Sequence, residues 1–250
     1  MIDYSATGAV ARITINRPEK RNALTAEMIA ALRESLQRAA EDASVRVVLI
    51  RGAGKDFCAG LDLSEVLKSA EDADQALVSA RNLGDLYIAM RRHPKPIVAA
   101  VQGRALGGGA GIATACDLIL AAESAQFGYP EVKLGFIPAI VTTMLRRAVN
   151  ERLAMELALT GEPVAAPRAH AIGLINGVFP DAEFEASVER YVAVMSEQSA
   201  TAMSLSKRVL YQTDGMSFEE SIEAGVQANV EARATEDFKR GVARFLKKSK

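Results

Sequence analysis

The chain of 250 residues has little cysteine and little histidine, with two of each. Two cysteines cannot build the disulfide framework of a small secreted domain. Two histidines are also too few for a metal site built from several histidine ligands. The sequence therefore predicts a protein of a reducing compartment, the cytoplasm, without a bound metal.

The chain also has no large excess of positive or negative charge. The formal net charge is −1 and the pI is near 6.2, whereas a protein that binds nucleic acid over a broad surface is strongly basic. No apolar run approaches the roughly 18 residues that span a bilayer. The first ten residues, MIDYSATGAV, lack the charged and apolar regions of a signal peptide. We expect neither a nucleic acid nor a membrane as partner.

Apolar residues make up 49% of the chain, which is enough for the core of one large domain. Residues 9–16 alternate apolar and polar, which predicts a half-buried strand. Residues 45–50, 97–101 and 118–121 are almost continuously apolar, which is typical of strands covered on both faces. Thr25 is the expected N-cap of a helix with an apolar stripe of Met28, Ile29, Leu32, Leu36 and Ala40. A second helix is expected near residues 72–92.

Past Pro138 the patterns are helical, with a short extended piece at residues 178–179. The expected helices are 139–149, 151–160, 165–172, 182–197, 200–212, 217–233 and 235–247. The sequence thus predicts an α/β fold with a mainly parallel core, followed by an all-helical second half.

Three segments that follow predicted strands contain candidate functional residues. In FCAGLDL, residues 57–63, a glycine turn can leave backbone N–H groups facing outward. The alternative is an ordinary strand-to-helix turn capped by Asp62 or Ser64.

The second segment, GRALGGGAGIATACD at residues 103–117, opens a run of small residues with three consecutive glycines. Ile112 breaks the dinucleotide fingerprint that would start at Gly107, and no Lys-Ser/Thr pair completes a Walker phosphate loop. Unpaired N–H groups at a helix N-terminus favour developing negative charge. An oxyanion site is the better interpretation, with tight helix packing as the alternative.

The third segment is FGYPEVKLGFIP, residues 127–138, where Glu131 lies among aromatic and aliphatic residues. Desolvation of a carboxylate there would raise its pKa toward that of a useful general base. The alternative is a solvated glutamate in the first turn of a short helix after Pro130.

In their order, these segments and their neighbours resemble the crotonase (enoyl-CoA hydratase/isomerase) family along nearly the whole chain. The similar stretches are RPEKRNAL, FCAGLDL, VQGRALGGGAGIATACDLILA, FGYPEVKLGFIP, LTGEPVAAPRAHAIGLINGVFP and TEDFKRGVARFLKK. The resemblance implies a crotonase-type β/α spiral core over residues 1–195. It also implies a helical region over residues 196–250 that forms a homotrimer or a dimer of trimers.

The resemblance further implies an acyl-CoA substrate and no separate cofactor, because CoA enters as part of the substrate. The backbone N–H groups of Leu61 and Gly108 would form an oxyanion hole for the thioester oxygen. Residues near the adenine and pantetheine of CoA would be Lys20, Arg21, Ala59, Gly60, Asp62 and Leu63. Phe245 and Lys248 match positions that reach the CoA of a neighbouring subunit, although Lys248 suits a solvated basic tail equally well.

The acidic residues depart from the hydratase pattern of the family, which carries two glutamates. The second is present as Glu131, but the first position is Gly111, which has no side chain. A single carboxylate favours isomerisation of 3-enoyl-CoA to 2-enoyl-CoA, with Glu131 moving one proton. The alternatives are a 2-enoyl-CoA hydratase and a non-catalytic protein that binds acyl-CoA or a partner.

Overall fold

The structure, a computed structural model, describes residues 1–248, the last of them by its backbone alone. Its strands are β1 (Ile2–Thr7), β2 (Val10–Ile15), β3 (Val47–Gly52), β4 (Ile97–Val101), β5 (Arg104–Leu106), β6 (Leu118–Ala122), β7 (Gln126–Gly128), β8 (Val164–Ala165) and β9 (Gly177–Phe179). Its α-helices are α1 (Ala26–Glu41), α2 (Leu63–Ser69), α3 (Ala73–Arg92), α4 (Gly108–Ala115), α5 (Ala139–Ala148), α6 (Glu151–Thr160), α7 (Ala166–Ala171), α8 (Phe184–Ser196), α9 (Ala200–Gln212), α10 (Phe218–Ala234) and α11 (Glu236–Lys248).

Six of these strands form one sheet in the order β1-β2-β3-β4-β6-β9. The β1–β2 pair is antiparallel, and the four other pairs are parallel. A second sheet has the order β5-β7-β8. All five residues of β4 are buried, as are five of the six in β3, because helices cover both faces of a parallel sheet. The predicted α/β core is confirmed.

Helix α1 forms where the sequence places it. The side chain of Thr25 accepts a hydrogen bond from the Met28 N–H, which satisfies one of the unpaired donors of the first turn. The buried stripe is the predicted one up to Leu36, and Ala39 rather than Ala40 continues it against the core.

Five strand assignments differ from the prediction. β5 and β7, of three residues each, lie in segments that were not assigned to strands, and they pair with each other. β1 was not expected, because its six residues IDYSAT contain few apolar side chains; it is an edge strand that pairs with β2. β8 lies in a segment that was expected to begin a helix, and it pairs with β7. β9 is a parallel strand beside β6 rather than an isolated extended piece. The second half is therefore mainly helical, with two short strands completing the sheets.

The C-terminal helices contact the core unequally. Helix α9 buries Leu205 and Lys207, whereas α10 has no buried residue. None of the helices in the described part of the chain is long and apolar enough to cross a bilayer. The division at residue 195 stays a prediction.

Candidate active site

The turn at residues 57–62 is held by backbone pairing on both sides. Cys58 N–H donates to Arg104 C=O, and Leu106 N–H donates back to Cys58 C=O. On the other side Leu24 N–H donates to Gly60 C=O, and Asp62 N–H donates to Leu24 C=O. These bonds fix the peptide of Leu61 while leaving its own N–H without an acceptor among the described residues. Gly60 has φ 108, which a side chain would strain.

Helix α4 begins at the glycine triplet. Gly107 N–H donates to Gly128 C=O, and Gly107 C=O accepts from Gly111 N–H as the first bond of the helix. Gly108 N–H meets no acceptor within residues 1–248, as expected in a first helical turn. A Cβ built on Gly108 would lie 3.6 Å from the Leu61 nitrogen, so the two unpaired N–H groups are neighbours.

Glu131 lies over the start of α4. It belongs to a 3₁₀-helix, Pro130–Leu134, that ends at Gly135 with φ 69. Its Oε1 would be 3.2 Å from a Cβ on Gly107, and its Oε2 is buried with no hydrogen-bond partner in the described chain. Burial raises the pKa of this carboxyl, and a hydrogen bond from its own backbone N–H offsets part of that effect. The carboxylate is half-buried rather than solvated, so the short-helix alternative is right about the backbone and wrong about the solvation.

Leu61, Gly108 and Glu131, predicted from three separate segments, line one cavity of about 400 Å³. The rest of its wall comes from α2, α3 and the start of α5. Its polar lining is limited to Ser69, Ser79, Tyr87 and Glu131 among the described residues; the other lining residues are Leu61, Val66, Ala70, Ala76, Ala80, Leu83, Gly108, Phe136, Ile137, Pro138, Ala139, Ile140 and Val141. Two unpaired N–H donors and one desolvated carboxylate therefore meet at an apolar cavity.

Tyr87 is a residue of this cavity that the sequence did not reveal. It is only 4% exposed, and its hydroxyl donates to Gly108 C=O at 3.0 Å. Burial raises the pKa of this phenol well above 10, and the nearby Cys58 and Glu131 raise it further. Tyr87 occurs within the stripe Leu83, Leu86 and Met90 of α3, so its position in the sequence is that of an ordinary core residue.

The predicted CoA-binding residues surround the same turn. Arg21 has φ 53, and its C=O accepts from Ala59 N–H, which joins the Lys20–Arg21 turn to the Ala59–Gly60 turn. Lys20, Arg21 and Leu63 are exposed. A contact between any of these residues and CoA stays a prediction.

Asp62 has a structural role besides any role in binding. Its carboxylate caps α2 through Ser64 and forms an ion pair with Arg17, with Nη1 and Oδ2 2.7 Å apart. Hydrogen bonds from Ser64 and then Arg17 lower the pKa of Asp62 to about 2. The N-cap alternative for Asp62 is therefore confirmed. Arg17, which holds it, was not singled out from the sequence.

Phe245 lies apart from this turn in the same chain. Arg46, which precedes β3, lines a surface depression together with Arg240 and Arg244 of α11. Residues 57–62 follow β3, so α11 packs at the opposite end of that strand. Phe245 is exposed there, and the side chain of Lys248 lies outside the described residues. Their predicted contact with the CoA of a neighbouring subunit remains a prediction.

In the described part of the chain, no cysteine or histidine lines this cavity. The Cys58 thiol is buried, and burial raises its pKa to about 12, so the thiolate is not formed at neutral pH. The residues described contain no group of three or more His, Cys, Asp or Glu side chains arranged to hold a metal ion.

Comparison with known proteins agrees with the fold and identifies a family. Residues 5–250 match the family described as enoyl-CoA hydratase/isomerase. The chain is 35% identical to the 2,3-dehydroadipyl-CoA hydratase of Escherichia coli over 94% of its own length and 91% of that protein's. An enoyl-CoA hydratase of Mycobacterium smegmatis superposes with a TM-score of 0.95 at 29% identity, over 99% of this chain and 96% of that one. Human enoyl-CoA hydratase domain-containing protein 3 gives a TM-score of 0.94 at 27% identity, over 99% and 97%.

Proposed function

We propose that this chain, which belongs to the enoyl-CoA hydratase/isomerase family, moves a proton at the α-carbon of an enoyl-CoA thioester with Glu131 as its single acid/base. The observation that carries the proposal is the meeting of Glu131 with Leu61 and Gly108 at one apolar cavity. The family acts on acyl-CoA, and the N–H groups of Leu61 and Gly108 are neighbouring donors for which residues 1–248 supply no acceptor.

The favoured reaction is isomerisation of 3-enoyl-CoA to 2-enoyl-CoA. Glu131 takes a proton from C2, and the electron pair moves through the thioester carbonyl to give a dienolate. The N–H groups of Leu61 and Gly108 bind the developing oxyanion, each stabilising it by about 3 kcal/mol. Glu131 then returns the proton to C4, and the double bond moves to C2–C3. One desolvated carboxylate suffices because the proton leaves and re-enters on the same base.

Hydration of 2-enoyl-CoA is the second candidate, favoured by the names of the hydratases from E. coli and M. smegmatis that the chain resembles. Glu131 would take a proton from water as its oxygen attacks C3, and C2 would be protonated in turn. Holding one water for this addition is easier with two carboxylates. Only Glu131 supplies one among the described residues of the cavity.

The lining of the cavity points to an uncharged, apolar acyl group. Within the part of the chain that is described, no Lys, Arg or His lines it, so the far end of a dicarboxylic acyl chain would be buried without a counter-charge. We therefore expect this chain to discriminate against 2,3-dehydroadipyl-CoA, the substrate named for the E. coli relative.

A panel of thioesters tests the proposal: straight-chain 3-enoyl-CoA, straight-chain 2-enoyl-CoA and 2,3-dehydroadipyl-CoA, each followed by mass and by ultraviolet absorbance. Isomerisation leaves the mass unchanged and creates the absorbance of a conjugated thioester, whereas hydration adds the mass of water and removes that absorbance. We expect isomerisation of the straight-chain 3-enoyl substrate. Binding of CoA esters without either product would support the non-catalytic alternative and refute the proposal.

A further inference from the structure

The Tyr87 side chain occupies the space in which a side chain at position 111 would lie. A Cβ built on Gly111 would overlap the Tyr87 hydroxyl oxygen and lie 2.7 Å from Cζ of the same ring. Real Cβ atoms do not approach other atoms so closely, and the ring is fixed because it is buried between α3 and α4. Position 111 therefore has no room for a side chain while the Tyr87 ring stays in place.

Gly107 is the N-cap of α4, with φ 51, and its C=O accepts a hydrogen bond from Gly111 N–H, so the two glycines are neighbours at the N-terminal end of the helix. Tyr87 and Glu131 line the same cavity beside them. The Glu131 carboxylate lies over Gly107, and the Tyr87 hydroxyl lies over Gly111. Tyr87 thus occupies the position beside Glu131 where a second carboxylate, or a water held between two carboxylates, would have to lie.

The Tyr87 hydroxyl cannot replace a carboxylate as a base. Its one proton is donated to Gly108 C=O at 3.0 Å, and burial keeps the pKa of the phenol well above 10. The hydroxyl oxygen that remains is a weak acceptor on a rigid aromatic ring. Among the described residues that line the cavity, Glu131 is therefore the one group that can exchange a proton at neutral pH.

We propose that Tyr87 is a specificity-determining residue: by filling the space beside Gly111 it excludes a second carboxylate and its water, so that Glu131 transfers a proton instead of activating water. This inference rests on the proposed function. It adds a residue that selects between the two reactions without taking part in either.

The test compares Gly111→Glu, Tyr87→Phe, Tyr87→Leu and the double variant Tyr87→Leu/Gly111→Glu with the parent. Tyr87→Phe keeps the ring and removes the hydroxyl, while Tyr87→Leu keeps an apolar side chain but vacates the space at Gly111. Each protein is assayed for 3-enoyl-CoA isomerisation, for hydration of crotonyl-CoA by mass, for CoA binding and for thermal unfolding.

We expect the double variant to hydrate crotonyl-CoA at least about tenfold faster than Tyr87→Leu, because a second positioned carboxylate contributes on the order of 10²-fold or more in general acid–base catalysis. Gly111→Glu alone should gain no hydration and should unfold at a lower temperature, since the glutamate meets the Tyr87 ring. Tyr87→Phe should hydrate crotonyl-CoA more slowly than Tyr87→Leu, because its ring still fills the space beside Gly111.

A folded double variant that binds CoA and hydrates no faster than Tyr87→Leu overturns the inference. A Tyr87→Phe variant that hydrates crotonyl-CoA as fast as Tyr87→Leu also overturns it, because the aromatic ring would then not be what keeps water out. If the double variant does not fold, Tyr87→Leu alone decides. Its vacated space borders Glu131 and Gly108 C=O and should admit water, so that hydration rises above the parent's; an unchanged rate contradicts the inference.

The parent's own products judge the proposed function separately. A parent that hydrates crotonyl-CoA faster than it isomerises 3-enoyl-CoA refutes the isomerase proposal, whatever the ratios among the variants.

Discussion

At the scale of single residues, the burial of the Glu131 carboxyl should make the reaction rate depend on pH. Because burial raises the pKa of this carboxyl above its ordinary value of 4.5, the base form is lost at a higher pH than for a solvated glutamate. We expect kcat/KM to fall as the pH drops through that raised pKa and to be flat above it. A pH–rate profile checks this, and an acidic limb at or below pH 4.5 would contradict it.

The raised pKa of Glu131 also affects the stability of the fold, and the variant Glu131→Gln should show this effect in the absence of substrate. When the pKa of a carboxyl is higher in the folded state than in the unfolded state, its full contribution to stability is present below the unfolded-state pKa. That contribution is lost as the pH rises through the folded-state pKa. Glutamine keeps the size and removes the buried charge. We expect Glu131→Gln to raise Tm relative to the parent at pH 7 and to lose that advantage near pH 4. An equal Tm difference at both pH values would refute the desolvation.

Motifs in the sequence predicted Leu61, Gly108 and Glu131 as residues of the site, but they did not predict Tyr87. Leu61, Gly108 and Glu131 lie in glycine turns or beside a proline, where an unusual backbone or an isolated carboxylate is visible in the sequence. Tyr87 lies at helical spacing among apolar residues. Its role depends on the packing of α3 on α4, which no local pattern contains.

At the scale of elements, α9 is attached to the core by a buried ion pair. Lys207 is 8% exposed, and its Nζ donates to Asp117 Oδ2 at 2.8 Å and to the C=O groups of Met90 and Lys95. Asp117 also accepts from Tyr211 and from the Ile97 N–H of β4. The pair therefore joins a helix of the second half to the central sheet.

Removing one partner of this pair should destabilise the fold strongly. Lys207→Met leaves Asp117 partly buried without its counter-charge, which costs about 3 kcal/mol or more. The matched control is Arg168→Met, which removes one partner of an exposed pair with Glu156 and should cost less than about 1 kcal/mol. Denaturant unfolding of the two variants measures both costs, and equal losses would show that α9 is not held in this way.

The sequence predicted the elements correctly where apolar residues form a regular helical stripe or an unbroken run. Helix α1 and strands β3 and β4 follow that rule. The two-residue strand β8 and the edge strand β1 did not, because pairing with a neighbour rather than their own composition makes them strands. Glu131 shows both outcomes. The short helix after Pro130 was expected from the sequence, whereas the burial of the Glu131 carboxylate depends on contacts with distant segments.

At the scale of the whole molecule, the C-terminal helices expose many large apolar side chains. The exposed large apolar side chains on α9, α10 and α11 are Leu210, Phe218, Ile222, Val226, Val230, Phe238, Val242, Phe245 and Leu246. Phe218 alone is 75% exposed. Patches of this kind mark interaction surfaces, and a closed cyclic assembly of identical chains is a common way to cover them.

We therefore expect a trimer or a pair of trimers in solution, assembled through residues 196–250. Light scattering at micromolar concentration should give three or six times the chain mass of 26.7 kDa. The double variant Phe218→Arg/Ile222→Arg should shift the mass toward the monomer, because it places charge in the expected interface. A parent that already scatters as a monomer would contradict the assembly. The cytoplasmic location stays a prediction of the sequence.

The central claim is that one carboxylate, Glu131, moves the proton beside the oxyanion donors. Single-turnover conversion of a straight-chain 3-enoyl-CoA to the 2-enoyl product, compared between the parent and Glu131→Gln, tests it most directly. The exposed Glu162, paired with Lys133 outside the cavity, gives the control Glu162→Gln, which should match the parent. We predict a loss of roughly 10²–10⁴-fold for Glu131→Gln with CoA affinity unchanged. A loss of less than about tenfold would show that another group transfers the proton.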